Sequence, residues 1–379
     1  MSKFDKIIDF IKNIYPNQDF IPLHAPVFNG NEKKYVLDTI DSTFVSSVGA
    51  YVNQLEGMMK EYTGAKHAIA VVNGTSALHM SLLLSGVERG DLVITQALSF
   101  VATCNAISYL GASPAFVDVD KKTMGMSVAS LKDFLKDVKL VEGKATHLPS
   151  GKIIRACVPM HTFGFPCEVD EIVNLCNEYN IVVVEDSAES IGSFYKGKHT
   201  GRYGKFGVFS FNGNKTITSG SGGVIITDNE ELGKKAKHLT TQAKVPHKWE
   251  FFHDNVGYNY RCANINAALA CAQLEQLEDF IDNKRKLSLN YKDFFFKEGI
   301  EFVDEPANSR SNFWLNVVLF ENINERDAFL TETNNNGVMT RPVWTLLNKL
   351  PMFEDSYCTD LSTSNWFEAR AVNIPSSVK

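Results

Sequence analysis

Seven short apolar runs lie before residue 230, and they limit the possible folds more than any other feature. They occupy 68–74 (AIAVVNG), 92–98, 113–120, 153–161, 181–186 (IVVVED), 207–212 and 222–228. Most are nearly continuous rather than alternating, which marks strands covered on both faces. Stretches with helical spacing separate the earlier runs, as at 76–85 and 169–179. Alternating strands and helices predict an α/β fold around a mostly parallel sheet. The last two runs are joined only by the polar loop Gly213–Ser221. That loop is too short for a crossover helix, so this pair should break the parallel rule.

After residue 230 the pattern changes. Residues 230–243 and 262–298 read as helices, 314–320 as a strand and 325–336 as a helix. Near the start, Phe4, Ile7, Ile8, Ile11 and Ile14 share one helical face. We expect an N-terminal helix within 1–20, a large domain at 21–250 with a seven-stranded mixed sheet, and a smaller C-terminal α+β domain at 251–379. With 379 residues, 44% hydrophobic and 22% charged, the chain can bury a large core.

Several function classes fall away. Net charge is -6 and no Lys/Arg stripe occurs, which argues against nucleic acid. Seven cysteines, an odd number without a CxxC pair, suggest neither a disulfide framework nor a metal site. They fit a reducing cytoplasm. The N-terminus lacks the pattern of a signal peptide, and no apolar run approaches transmembrane length.

Three stretches carry the chemistry. At Asn73–Leu78 a strand stops, Gly74 permits a tight turn, and Thr75 and Ser76 open a helix. Free N–H groups at such a start bind anions, although a hydroxyl there is more often only a cap. At 182–189 an apolar strand ends in Glu185 and Asp186, with Glu189 one turn on. An acid beyond a strand end suits a protonated pyridine nitrogen, a metal, a ribose or a helix cap. At 209–223 Lys215 stands between a strand and a Gly/Ser-rich turn. A lysine in a cleft can form a Schiff base, whereas most lysines face water. Pyridoxal phosphate (PLP) needs all of these together: a lysine for its aldehyde, an acid for its ring nitrogen, an anion site and a flat partner. Phe100 is the candidate for the flat partner; plain core packing is the commoner fate of a Phe.

Eight ordered motifs carry a resemblance. They are NGTSAL (73–78), SFVATCNAI (99–107), VEDSAESIG (184–192), FSFNGNK (209–215), GGVIITD (222–228), GYNYR (257–261), RPVW (341–344) and NIPSS (373–377). Together they resemble the DegT/DnrJ/EryC1/StrS sugar aminotransferases, from about Ile21 to Pro375. That resemblance implies the aspartate-aminotransferase-like PLP-dependent transferase fold, type I. It implies that Lys215 carries the cofactor and shuttles the proton, and that Asp186 pairs with the ring nitrogen. Thr75 and Ser76 would give backbone N–H groups to the phosphate beside Gly74, and Ser210 its hydroxyl, while Phe100 stacks. Asn259 would reach the phosphate from a neighbouring subunit, which implies a homodimer with shared active sites. Glu189 stands where many members have Gln or His, and Asn348 where a His is frequent. Lys215 is present where dehydratase members have His, which favours transamination.

FVSSVG at 44–49 looks most like the branch acting on UDP-linked 2-acetamido-2,6-dideoxy-4-ketohexoses in bacillosamine and legionaminic acid pathways. The resemblance implies glutamate as donor and a nucleotide sugar as acceptor, aminated at C4. Ser46, Lys244, Arg261 and Trp344 are the substrate candidates; a solvated loop and a packed Trp are the bland readings of Lys244 and Trp344. The alternatives are a 3-keto sugar aminotransferase, a PLP-dependent dehydratase and a non-catalytic PLP-binding regulator. A nucleotide-binding α/β protein is weakened by the lack of a GxxxxGK[ST] or first-strand GxGxxG motif.

Overall fold

A computed structural model describes residues 3–379. The seven apolar runs become β1 (His67–Val71), β2 (Leu92–Gln96), β3 (Ser113–Val117), β4 (Ile154–Val158), β5 (Val182–Asp186), β6 (Phe206–Ser210) and β7 (Gly223–Thr227). They lie in one mixed sheet in the order β1-β7-β6-β5-β4-β2-β3. The pair joined by the polar loop is antiparallel, with Phe209 opposite Val224. Strand β7 is also antiparallel to β1, so β1 to β6 all end on the same edge of the sheet.

The runs are continuous because both faces are covered. On one face Ile69, Val71, Val93, Val158, Val184 and Val208 pack against helices Gly74–Leu84 and Glu230–Thr240. On the other face Ala68, Ala70, Val224 and Ile226 meet helices Ala50–Thr63 and Asn264–Leu274. Further along that second face, Ile94, Val117, Cys157 and Val183 meet helices Val128–Leu135 and Val169–Glu178. Burying one Val or Leu in such a layer stabilises by about 1.5–3 kcal/mol.

A second, four-stranded antiparallel sheet is built from Glu301–Phe302, Asn316–Leu319, Ala371–Ile374 and Arg341–Pro342. The N-terminal helix Asp5–Ile14 covers it: Ile7, Ile8 and Ile11 pack with Val318, Phe320, Phe329 and Val372. None of the helices among the described residues is long and apolar enough to cross a membrane.

Three expectations change. The sheet has eight strands, because Tyr357–Cys358 pairs in parallel with β3. Two residues are too few to show a period. The stretch 262–298 is two helices, Asn264–Leu274 and Leu277–Lys297. The break is held by side chains from afar: Gln273 and Gln276 amides both donate to the buried Glu32 carboxylate at 2.7 Å, and Gln276 also donates to the Ala272 carbonyl. The helix expected to reach 243 ends at Thr240, and the chain then turns through Gln242 and Ala243 at φ 66° and 51°. Two successive left-handed residues cannot continue a right-handed helix.

Candidate active site

Beyond the shared strand edge lies a cavity of about 380 Å³. Strand β1 leads into helix Gly74–Leu84, capped by Asn73, whose side chain accepts from the Ser76 N–H at 2.8 Å. The N–H groups of Gly74 and Thr75 have no acceptor among the described residues. Both residues line the cavity. The Ser76 N–H is taken by the cap in this structure, and the free donors at this helix start are Gly74 and Thr75. Glycine is required at 74, because a Cβ there would sit 2.9 Å from the Ser210 Cβ. That close approach sets the Ser210 side chain beside the free N–H groups.

The two acids at the end of β5 serve different ends. Glu185 is fully buried and accepts from the N–H groups of Gly201, Tyr203 and Gly204 at 2.7, 2.6 and 2.6 Å, and it meets His161 Nε2 at 3.0 Å. It fixes a loop. Asp186 lines the cavity; its Oδ2 accepts from the Thr103 hydroxyl at 2.7 Å and its Oδ1 from the Ala188 N–H at 3.2 Å. Burial pushes the Asp186 carboxyl up, against the pull of Thr103, Ala188 and the nearby Lys215 charge.

Lys215 enters the same cavity. Its Nζ lies 3.1 Å from Glu189 Oε1 and 4.0 Å from the centre of the Trp314 ring. The other Glu189 oxygen accepts from the Phe163 N–H at 2.9 Å. Burial pushes the Glu189 carboxyl up to about 7, although Lys215 and Phe163 oppose it. Phe100, half-exposed, and Trp344 stand at the mouth with ring centres 6.2 Å apart.

Lys215, Asp186, Glu189, Ser210, Gly74, Thr75, Phe100 and Trp344 are thus gathered in one cavity. Ser46, Lys244, Asn259 and Arg261 do not line it. Ser46 lies outside, its carbonyl accepting from the Asn264 N–H. Lys244 Nζ rests over the Phe251 ring at 4.1 Å. Asn259 and Arg261 touch each other at 3.4 Å. Their segment runs along the outer edge of β1, where the Val72 N–H donates to the Tyr260 carbonyl. Asn348 Oδ1 is buried without a partner.

The sequence reading missed Thr103, Asn73 and Trp314. Thr103 lies one helical turn past Phe100 within SFVATCNAI and had a signal in that spacing. Trp314 had none, because it comes from the loop before strand Asn316–Leu319 of the second sheet, about 100 residues from Lys215.

The residues present fit PLP. A buried carboxylate suits a protonated ring nitrogen. Two unclaimed N–H groups at a helix start, beside a hydroxyl, suit a phosphate. A flat ring and a lysine complete the set. Among the described residues no group of three His, Cys, Asp or Glu is placed to hold a metal.

Comparison with known proteins agrees. Residues 27–379 match the model of the DegT/DnrJ/EryC1/StrS aminotransferase family. The chain is 37% identical over 362 residues to the GDP-perosamine synthase of Escherichia coli O157:H7, covering 94% of this chain and 93% of that one. It is 34% identical over 359 residues to the GDP-perosamine synthase of Vibrio cholerae, covering 94% of each. The crystal structure of the aminotransferase TlmJ from Streptoalloteichus hindustanus superposes with a TM-score of 0.84 at 25% identity, covering 94% of this chain and 93% of that one. These curated relatives carry GDP in their names, not the UDP sugar that FVSSVG suggested. The chain belongs to the DegT/DnrJ/EryC1/StrS aminotransferase family and is a PLP-dependent aminotransferase.

Proposed function

We propose that this protein moves an amino group from glutamate to the C4 carbonyl of a nucleotide-linked 4-keto-6-deoxyhexose, with Lys215 as the proton carrier. The observation that carries this reading is the convergence of the part-buried Lys215 and the buried Asp186 with the Gly74–Thr75 turn in one cavity. Bound there, PLP supplies an electron sink for the carbon that loses its proton. Asp186 would hold the proton of the ring nitrogen. Gly74, Thr75 and Ser210 would donate to the phosphate, and Phe100 would cover the ring face. Lys215 Nζ would take a proton from the α-carbon of the donor in one half-reaction and give one to C4 of the sugar in the other. Glu189, with its carboxyl near 7, is present at neutral pH both as acceptor and as donor. It can therefore face a phenolic oxygen in either protonation state, as a Gln could.

On this reading Asn259 and Arg261 serve the site of a second copy, so the working unit is a homodimer. Two observations bear on the nucleotide. The names of the curated relatives favour a GDP-linked hexose. FVSSVG at 44–49 favours a UDP-linked 2-acetamido-4-keto sugar. The experiment gives the enzyme ¹⁵N-glutamate with each keto sugar in turn and follows the label by NMR. Label at C4 of one sugar supports the reading and names the nucleotide. Label at C3, or no transfer to either sugar, rejects it.

A further inference from the structure

One aromatic ring grips Lys215 from two sides. Lys215 Nζ lies 4.0 Å from the centre of the Trp314 indole, within range of a cation–π attraction. The indole N–H of the same ring donates at 2.7 Å to the carbonyl of Asn214, the residue before the lysine. Trp314 is buried and lines the cavity. The one ring thus meets the lysine's charged end and the carbonyl of the residue before it.

The segment that carries the ring is itself held. Asn312, fully buried, accepts through Oδ1 from the backbone N–H of Trp314 at 2.9 Å. Its amide donates at 2.9 Å to the carbonyl of Glu189. Glu189 is the other group that touches Lys215 Nζ. One buried amide thus ties together the two partners of the ammonium. A Cβ at Gly164 (φ 98°) would fall 1.9 Å from Asn312 Oδ1, so a side chain there would be strained and would displace Asn312.

We propose that Trp314 is a positioning residue for amino transfer: its indole face holds the Lys215 ammonium while Nζ carries the transferred proton, with Asn312 holding the Trp314 main chain and the Asn214 carbonyl the indole N–H. The inference rests on Lys215 being the cofactor lysine. During each half-reaction Nζ takes a proton from one carbon and gives it to another. In between it is a cation in a cavity largely shielded from water. Glu189 alone would draw it to one side. The indole face adds a second, dispersed attraction and donates no competing proton. A freed lysine, with four rotatable bonds, would otherwise sample many positions.

The test uses the full-length protein stripped of cofactor. Its tryptophans are replaced biosynthetically by mono-, di- and trifluorotryptophan, which weakens the π face with little change of shape. Capture of PLP is followed by absorbance against pH, since only the neutral amine attacks the aldehyde. Weaker stabilisation of the ammonium moves the midpoint of capture to lower pH. The expected result is a stepwise fall with fluorine count, about one pH unit in total. The same series in Trp314→Phe should be flat, because no other tryptophan lies over Lys215. A flat midpoint in the native sequence overturns the proposal, and so does a slope that persists in Trp314→Phe. The native-sequence series decides alone if Trp314→Phe does not fold. Lys215→Ala is run alongside. Capture that survives in it condemns the lysine assignment, an outcome distinct from normal capture with a flat midpoint.

Discussion

The cavity at the strand ends and the segment 244–261 differ in how complete they are. In the cavity, Asp186 and Glu189 are buried, Lys215 is part-buried, and each is met by atoms of this same chain. In the segment, Trp249 is 73% exposed, Phe251 82% and Val256 79%. Large apolar groups held in water mark a surface waiting for a partner. The groups around Lys215 find their partners within one chain. The apolar side chains of the segment bearing Asn259 and Arg261 do not, which supports the proposed homodimer.

The comparison breaks most clearly at Lys215. Replacing it by Ala should lower turnover by about 10³-fold or more, with the fold intact by circular dichroism. Retention of a tenth of the activity would refute its role. Asp186→Asn keeps the shape but withdraws the charge, and should cost about 10²-fold in turnover. Near-normal turnover would mean that the ring nitrogen is not held there.

Glu189 gives a test by stability. Its carboxyl is raised from 4.5 to about 7. The folded protein therefore binds more protons than the unfolded chain between those values, and stability falls as pH rises through that window. Glu189→Gln should remove the fall, leaving the cofactor-free protein more stable than the native sequence at pH 8 by up to about 3 kcal/mol and little changed at pH 4. Denaturant melts at the two pH values check this; parallel curves for both proteins would contradict it. The smallest effect is expected at the open end. Phe251→Ser should weaken self-association by about 1.5–3 kcal/mol and lower turnover less than tenfold, with recovery at higher protein concentration. A native protein that sediments as a fully active monomer would undo the comparison.

The same contrast explains what could be read in advance. The sheet was legible because residues such as Ile69 and Ala70 point to opposite layers and both must be apolar. Asp186 and Lys215 were legible because a strand end places them with only local chain involved. Thr103 was half-legible, one helical turn from Phe100. Trp314 and the break after Leu274 were not, because each depends on a partner far away in sequence, Lys215 for one and Glu32 for the other. The strand at Tyr357–Cys358 was too short for any period to show. The Asn73 cap on the Ser76 N–H was as local as the placing of Asp186 and Lys215, a short polar side chain three residues before the N–H it accepts from.

The most direct test of the account is the absorption spectrum of the purified protein with PLP, before and after glutamate. The account predicts a band near ~420 nm that gives way to one near ~330 nm once the donor has left its amino group. A protein that stays colourless with added PLP, or whose band ignores glutamate, would contradict it.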